Sequence, residues 1–287
     1  MDTVTHTLFG LVIYQAINKE QMSKPMKRSL LLTSLVGSQI PDIDVISQWW
    51  DVNGQYLMWH RGITHSVFLA PLWALLISAI CFAIWRIRDS KIYWIALLAV
   101  FIHITSDNFN AWGTGYFEPF SQKRLAFGTV PIIDFVVWLI IAGGFVATRL
   151  RKWSTPRIFK TVGCLIALHF LIQTVQGGIL ANNYASNYQQ IALSADFVPG
   201  SFKLIGKNEG IVEIQQVSLW TEPKHLQSFQ SADQTDLRQL FAQNKEAQTL
   251  YKWAPLVVVV NDEKQLGIFD PRFYRDGESF LSEYVSK

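Results

Sequence analysis

A mainly α-helical, polytopic membrane bundle of about six helices, followed by a small C-terminal α+β soluble domain, is the architecture this sequence predicts. Three observations carry the prediction. The 287 residues are 50% hydrophobic and only 16% charged, against roughly 25% charged residues in ordinary soluble domains. Residues 66–85 hold no charge at all, a run of the ~20 residues that a helix needs to cross a ~30 Å hydrocarbon layer. After Ala181 the composition turns polar, and hydrophobic residues alternate instead of running on.

Six largely apolar segments follow one another: residues 3–17, 29–46, 66–85, 92–106, 130–148 and 158–181. The first two are short for full crossings, so re-entrant or tilted placements are open for them. Segment one is expected to stay in the mature protein, because it lacks the basic n-region and small-residue cleavage site of a secretory signal. Cys81 and Cys164 both fall inside predicted helices, which indicates packing rather than a disulfide framework. The division expected is a transmembrane helical domain over residues 1–181 and a soluble α+β domain over 182–287. In the latter, residues 198–219 and 254–269 read as strands broken at Gly206, Gly210 and Asn261-Asp262, and residues 233–251 read as one amphipathic helix.

Basic residues in short connectors set membrane orientation. Alternate connectors carry Lys19, Lys24, Lys27 and Arg28, then Arg86, Arg88 and Lys91, then Arg149, Arg151, Lys152 and Arg157. The other side holds Arg61, Lys123 and Arg124. The first set is therefore expected in the cytoplasm, and the N-terminus and the C-terminal domain outside it. The net charge of +3 says little by itself, because its distribution matters more, and no nucleic-acid partner is expected. Membrane lipids are the expected surroundings, and the sequence leaves any protein partner open.

Ionisable groups near lipid are functional candidates by default, and here they gather at one predicted face. Asp2 and His6 begin segment one; Asp42 and Asp44 end segment two; His60, Arg61 and His65 precede segment three; His103 and Asp107 end segment four; and Asp134 opens segment five. Asp2 with His6, and His103 with Asp107, are i,i+4 pairs that share a helical face. Pro41 is expected to hold Asp42 and Asp44 in an extended segment, where residues i and i+2 point the same way. A turn at Gly62 is expected to bring His60 back toward His65. Imidazole and carboxylate ligands suit a divalent ion such as Zn²⁺ or Mn²⁺. Their number allows two ions, bridged by Asp42 or Asp44, that activate water. The metal-ligand set read from the sequence is thus His6, Asp42, Asp44, His60, His65, His103 and Asp107. Asp42 and His65 are also assigned to the chemistry, and Arg61 offers a planar fork for a phosphate.

Plainer readings stand beside these. Asp2 also reads as a helix N-cap, Asp134 as an early-turn residue favoured by the helix dipole, and Arg61 as a polar loop marker near lipid headgroups. For His65, His103 and Asp107 the competing reading is an interhelical hydrogen-bond network, and for Asp42 and Asp44 a closed turn with nothing bound. His169 reads as an interhelical hydrogen-bonder and His225 as solvated. Trp49, Trp50, Trp59 and Trp153 read as interface anchors, while Trp112-Gly113-Thr114 follows His103 and Asp107 closely enough to line a site.

Taken together, Met1-Asp2-Thr3-Val4-Thr5-His6, Pro41-Asp42-Ile43-Asp44, His60-Arg61-Gly62-Ile63-Thr64-His65-Ser66 and His103-x3-Asp107-x2-Asn110-x-Trp112-Gly113-Thr114 resemble the YdjM-like family of membrane-bound metal-dependent hydrolases. That family is also described as LexA-binding and inner-membrane-associated. The resemblance covers roughly residues 1–180 and implies a bacterial inner-membrane protein with metal-dependent hydrolase activity. No substrate carries over with it.

Three functions compete. The leading one is a metal-dependent hydrolase of a phosphoester or lipid-like substrate at the non-cytoplasmic face, with Arg61 steadying developing charge. The second is a metal-independent lipid phosphatase with His103 as nucleophile oriented by Asp107. The third is a non-enzymatic anchor or regulatory protein with a structural metal, toward which the family's association with LexA points.

Overall fold

The computed structural model describes residues 1–150 and 152–287; Arg151, one of the expected cytoplasmic basic residues, lies outside the described residues. In chain order the elements are α1 (Thr3–Ala16), α2 (Lys24–Gly37), a 3-10 segment (Ile40–Trp50), α3 (Tyr56–Trp59), a 3-10 turn (Ile63–His65), α4 (Ala70–Trp85), α5 (Ser90–Asp107), α6 (Phe135–Arg149) and α7 (Thr155–Tyr184). There follow β1 (Gln190–Ala195), β2 (Ser201–Asn208), β3 (Ile211–Ser218), β4 (Lys224–Gln230), α8 (Arg238–Gln243), α9 (Lys245–Trp253), β5 (Val258–Asn261), β6 (Gln265–Phe269), β7 (Tyr274–Arg275), β8 (Glu278–Ser279) and β9 (Ser282–Ser286). About half of the chain is helical, and the sheets are confined to its C-terminal part. The chain divides into two compact units, Met1–Asp44 with Arg61–Gln173, and Val45–His60 with Thr174–Lys287.

The first unit is helical. Helices α1, α2, α5 and α6 start where side chains can satisfy the free N–H groups of a first turn. Asp2 accepts from the Val4 and Thr5 amides at 2.9 and 3.1 Å, Ser23 from Met26 at 3.3 Å, Asp89 from Lys91 at 2.9 Å, and Asp134 from Val136 and Val137 at 2.9 and 3.1 Å. Two apolar clusters hold the helices together. One joins α2, α4 and α5 through Leu30, Ala74, Ile77, Ala96, Val100 and Ile104; the other joins α1, α6 and α7 through Phe9, Val12, Val137, Ile141, Phe159 and Val162. Small residues let backbones approach: a Cβ on Gly10 would lie 2.8 Å from the Ser34 carbonyl oxygen, and one on Gly37 2.8 Å from Ala99 Cβ.

On α4 the inward face is Ala70, Ala74, Ile77 and Cys81. Its outward face carries Leu72, Leu75, Leu76, Ile80 and Ile84, all exposed. Small residues inside and large aliphatic ones outside is the arrangement of helices packed in lipid. By length and composition, however, α7 is the one described helix able to cross a membrane by itself; Tyr56–His65 with Ala70–Trp85 passes only when the bent pair counts as one span. The uncharged run that begins at Ser66 enters helix only at Ala70, which leaves 16 residues, or about 24 Å. Helices α1 and α2, at 14 residues each, reach about 21 Å. The helix lengths alone therefore do not establish six crossings.

The segment around Asp42 departs from the sequence expectation. Residues 40–50 form a 3-10 helix rather than an extended stretch, because Pro41 stands in the first turn, where its missing N–H costs nothing. Pro41 restricts only Ile40 before it.

In the second unit β1-β2-β3-β4 form an antiparallel meander and β5-β6-β9 a second antiparallel sheet. Ile205, Val212, Ile214, Leu256, Val258 and Phe269 fill their core. Gly210, at φ +82°, makes the β2–β3 turn. Gly206 does not break a strand: it pairs with Ile191 and Glu213 under the Tyr188 ring. The amphipathic stretch expected over residues 233–251 is two short helices, because Asn244 leaves helical geometry and caps α9 by accepting from Ala247 at 3.0 Å. Around α3, Asp51 accepts from the Asn53, Gln55 and Tyr56 amides, and Gln55 donates to Thr249 Oγ1 at 2.9 Å.

Candidate metal centre

Four side chains from two elements and one turn converge inside the first unit. Asp42 comes from the 3-10 segment, His65 from the turn before α4, and His103 and Asp107 from one face of α5; one ligand atom of each lies within 4.8 Å of all the others. The separations are specific. His65 Nε2 is 3.2 Å from His103 Nε2, 3.3 Å from Asp42 Oδ1 and 3.5 Å from Asp107 Oδ2. His103 Nε2 is 3.6 Å from Asp42 Oδ1 and 3.8 Å from Asp107 Oδ2. A tetrahedral ion with bonds of about 2.0–2.2 Å to nitrogen and oxygen has its ligand atoms about 3.3–3.6 Å apart. These distances are close to the edges of that tetrahedron.

Protonation makes the same point. His103 Nδ1 is 2.8 Å from the Ser38 carbonyl oxygen, which can only accept, so Nδ1 carries the proton and Nε2 presents a lone pair to the cluster. Asp42 Oδ1 and His6 Nε2 are buried without a hydrogen-bond partner, while Asp107 Oδ2 also faces Arg61 Nε at 3.2 Å. Buried acceptors turned toward one another repel unless a cation lies among them. The residues thus fit a divalent ion.

The helices that bring these ligands together lie in the part of the chain matched by the sequence model described as "YdjM inner membrane protein", which covers residues 1–180. The chain belongs to that family. It is also 36% identical over 138 residues to the protein titled "Uncharacterized protein YfhP" of Bacillus subtilis (strain 168); the match takes in 47% of this chain and 42% of that protein's length. No solved structure matches the chain. The family places the chain in an inner membrane, and its matched span holds a group of Asp and His residues able to bind a metal ion.

In this YdjM-family chain the other sequence-predicted residues take different places. His6 stacks on the His103 ring with centroids 3.7 Å apart, and its Nε2 lies 3.3 Å from Asp107 Oδ1. It is therefore beside the four-atom group rather than in it. Asp44 lies on the opposite nitrogen of His65 from Asp42, 3.4 Å from Nδ1. Its Oδ2 also accepts from the Arg61 amide at 2.9 Å and Thr64 Oγ1 at 2.5 Å. His65 Nδ1 hydrogen-bonds Thr64 Oγ1 at 3.0 Å, and Thr64 in turn donates to Asp44. Such a relay from a carboxylate fixes the ring and raises its basicity, so Asp44 can orient His65, and it also belongs with Asp42 to a second group of side chains able to hold a metal. Loss of such a partner typically weakens metal binding about 10–100-fold, and Asp44→Ala should show that drop in a competitive chelator titration while His65→Ala shows a larger one.

Arg61 does not hold an open fork. Its Nε faces Asp107 Oδ2 at 3.2 Å, Nη1 donates to Asn110 Oδ1 at 3.1 Å and Nη2 to the Met1 carbonyl at 2.9 Å. The guanidinium and the Met1 ammonium together balance Asp107 inside the protein. The turn expected at Gly62 is made instead by Arg61, at φ 57°, with its carbonyl held by the Gly115 amide at 2.7 Å. His60 belongs to the second unit, where it ends α3 and stacks on Tyr56 at 5.1 Å.

Asp2 and Asp134 act as helix caps. Asp134 also meets His169 Nε2 at 2.8 Å, the interhelical role expected for that histidine. Sequence reasoning missed Ser38, whose contribution is a main-chain carbonyl and leaves no residue-type signal, and undervalued Thr64 and Asn110, which lie within the quoted motifs. The arrangement also disfavours a His103 nucleophile oriented by Asp107. Asp107 sits on the nitrogen that would attack, and the orienting partner on Nδ1 is Ser38.

Proposed function

We propose that this chain is a multi-pass inner-membrane hydrolase that uses one or two divalent ions, zinc or manganese, on a phosphoester or lipid-linked substrate at the non-cytoplasmic face. A surplus of donors carries this reading. A closed structural site is complete with four ligands, yet His6 Nε2 adds a further buried basic nitrogen without a hydrogen-bond partner, 3.3 Å from Asp107 Oδ1, which accepts from the Met1 ammonium. Asp107 turns one oxygen to His65 and His103 and the other to His6 and the Met1 ammonium.

When bound, the ion would act as a Lewis acid toward a phosphoryl oxygen and bring the pKa of water down toward about 7. The chain's own residues keep the site in register. Ser38 holds His103 and Thr64, backed by Asp44, holds His65 in its tautomer, and Arg61, itself held by Asn110, holds Asp107. Asp42 is the ligand that solvent can touch, at 16% side-chain exposure against 0% for His65, His103 and Asp107. Substrate would therefore enter past Asp42.

Outward aliphatic faces such as that of α4 and the basic connector asymmetry support a multi-pass arrangement. The same asymmetry supports residues 182–287 as an extracytoplasmic domain. Membrane lipids are the proposed surroundings and the source of substrate.

The near-complete burial of the ligands favours a second reading, a structural metal in a non-enzymatic anchor or regulatory protein. Chelation and reconstitution separate the two. Protein purified in detergent, stripped of metal and refilled with Zn²⁺ or Mn²⁺, is assayed on phosphoester and phospholipid substrates. Turnover that returns with metal and is absent in Asp42→Ala supports the hydrolase. Turnover untouched by stripping removes it, and metal-dependent folding without turnover supports the structural role.

A further inference from the structure

The first two loops of the four-stranded sheet combine exposed apolar side chains with a position on α7 that gives them a role. Ser201 pairs with Ser218, and Ala195 with Phe202, so the β1–β2 loop and the β3–β4 loop leave the sheet at the same end. At that end Phe197, Val198, Leu219 and Trp220 are exposed, Trp220 at 76%. The opposite end of the sheet carries Glu209, Asp233 and Asp236. Exposed Glu222 and Lys224 rim the apolar groups at the first end, and a cluster of large exposed apolar side chains rimmed by polar ones marks an interaction site.

Position along α7 identifies that partner. A Cβ on Gly200 would lie 2.9 Å from Gln176 Oε1 and 3.5 Å from Trp220 Nε1, so the β1–β2 loop meets α7 at Gln176 and Trp220 of the β3–β4 loop lies against the same glycine. Leu180 of α7 packs with Phe202, Leu204 and Val217 of the sheet, which holds the loops there. Gln176 lies eight residues before the helix ends at Tyr184, or about 12 Å back along its axis. It falls inside the apolar stretch of the helix best suited to cross a membrane, among exposed Leu171, Ile172, Val175 and Ile179. The chain thus reverses after α7, and the sheet returns its apolar loops to the level of exposed Val175 and Ile179 on that helix.

We propose that Phe197, Val198, Leu219 and Trp220 form an interfacial anchor that inserts into the headgroup and upper acyl region of the bilayer beside α7. Aromatic residues with one polar edge, such as Trp220, are enriched at that depth. The inference rests on α7 crossing the bilayer and is independent of the metal chemistry.

The test uses the full chain in phospholipid nanodiscs. Cys81 is buried and Cys164 exposed, so Cys164→Ser provides a background for single cysteines labelled with a polarity-sensitive fluorophore. Val198→Cys and, independently, Trp220→Cys should give blue-shifted emission that is lost to lipids carrying a nitroxide near the headgroup. Gln234→Cys, at the acidic end, should emit as in water and keep its intensity. Leu168→Cys reports whether α7 itself is in lipid. Lipid-like emission at residue 168 with water-like emission at 198 and 220 overturns the anchor while leaving the span intact. Water-like emission at all of these positions removes the span and the anchor with it.

Discussion

His103→Ala and Asp42→Ala should each leave the detergent-purified protein with little bound metal under conditions where the unsubstituted chain holds about one equivalent or more. Four-ligand sites in small zinc domains bind with about 10–16 kcal/mol, roughly 3 kcal/mol per ligand, so one deletion should weaken binding about a hundredfold or more. The two substitutions differ in what they leave. Loss of His103 also frees the Ser38 carbonyl and removes the stacking surface of His6. Loss of Asp42 removes the solvent-facing ligand and leaves both imidazoles in place. Elemental analysis after gel filtration, with competition by a chromophoric chelator, measures both. Unchanged metal content in the two variants would mean that the acceptor atoms meet for another reason.

The second large effect concerns stability rather than occupancy. Asp107 faces the Arg61 guanidinium at 3.2 Å with both side chains almost wholly buried, and removal of one partner of such a pair typically costs about 3–5 kcal/mol because the other charge is stranded. Asp107→Ala should therefore lower the thermal midpoint in detergent by far more than Asp44→Ala. The double variant Asp107→Ala with Arg61→Met should recover part of the loss, because it removes both charges. A double variant no better than the single one would show that Asp107 stabilises the fold through something other than Arg61, and the cycle reads that coupling directly.

The helices and the ligand residue types were legible in the sequence for definite reasons. Apolar runs, capping residues and the i,i+4 spacing of His103 and Asp107 are local, and locality is what sequence patterns record. Asp134 and Asp2 show the limit of that reading, since a carboxylate at a helix start looks the same whether it caps the helix or binds a metal. The geometry around Pro41 was misread because a proline restrains the residue before it while tolerating helix after it. The single helix expected near residue 244 failed for a related reason: Asn244 caps a new helix as readily as it interrupts an old one.

What the sequence by itself determined is that acids and imidazoles stand at the ends of apolar segments in a chain poor in charge, and that the family motif is present. Only the tertiary structure decided their ranks: Asp42, His65, His103 and Asp107 around one point, Asp44 behind His65, Arg61 turned inward onto Asp107, and His6 alongside. The physical reason is that rank depends on which nitrogen of an imidazole faces which oxygen. Those orientations are set by a carbonyl on α2's end, a left-handed residue at Arg61 and the packing of α1 on α5, distant in sequence and adjacent only once the helices have packed.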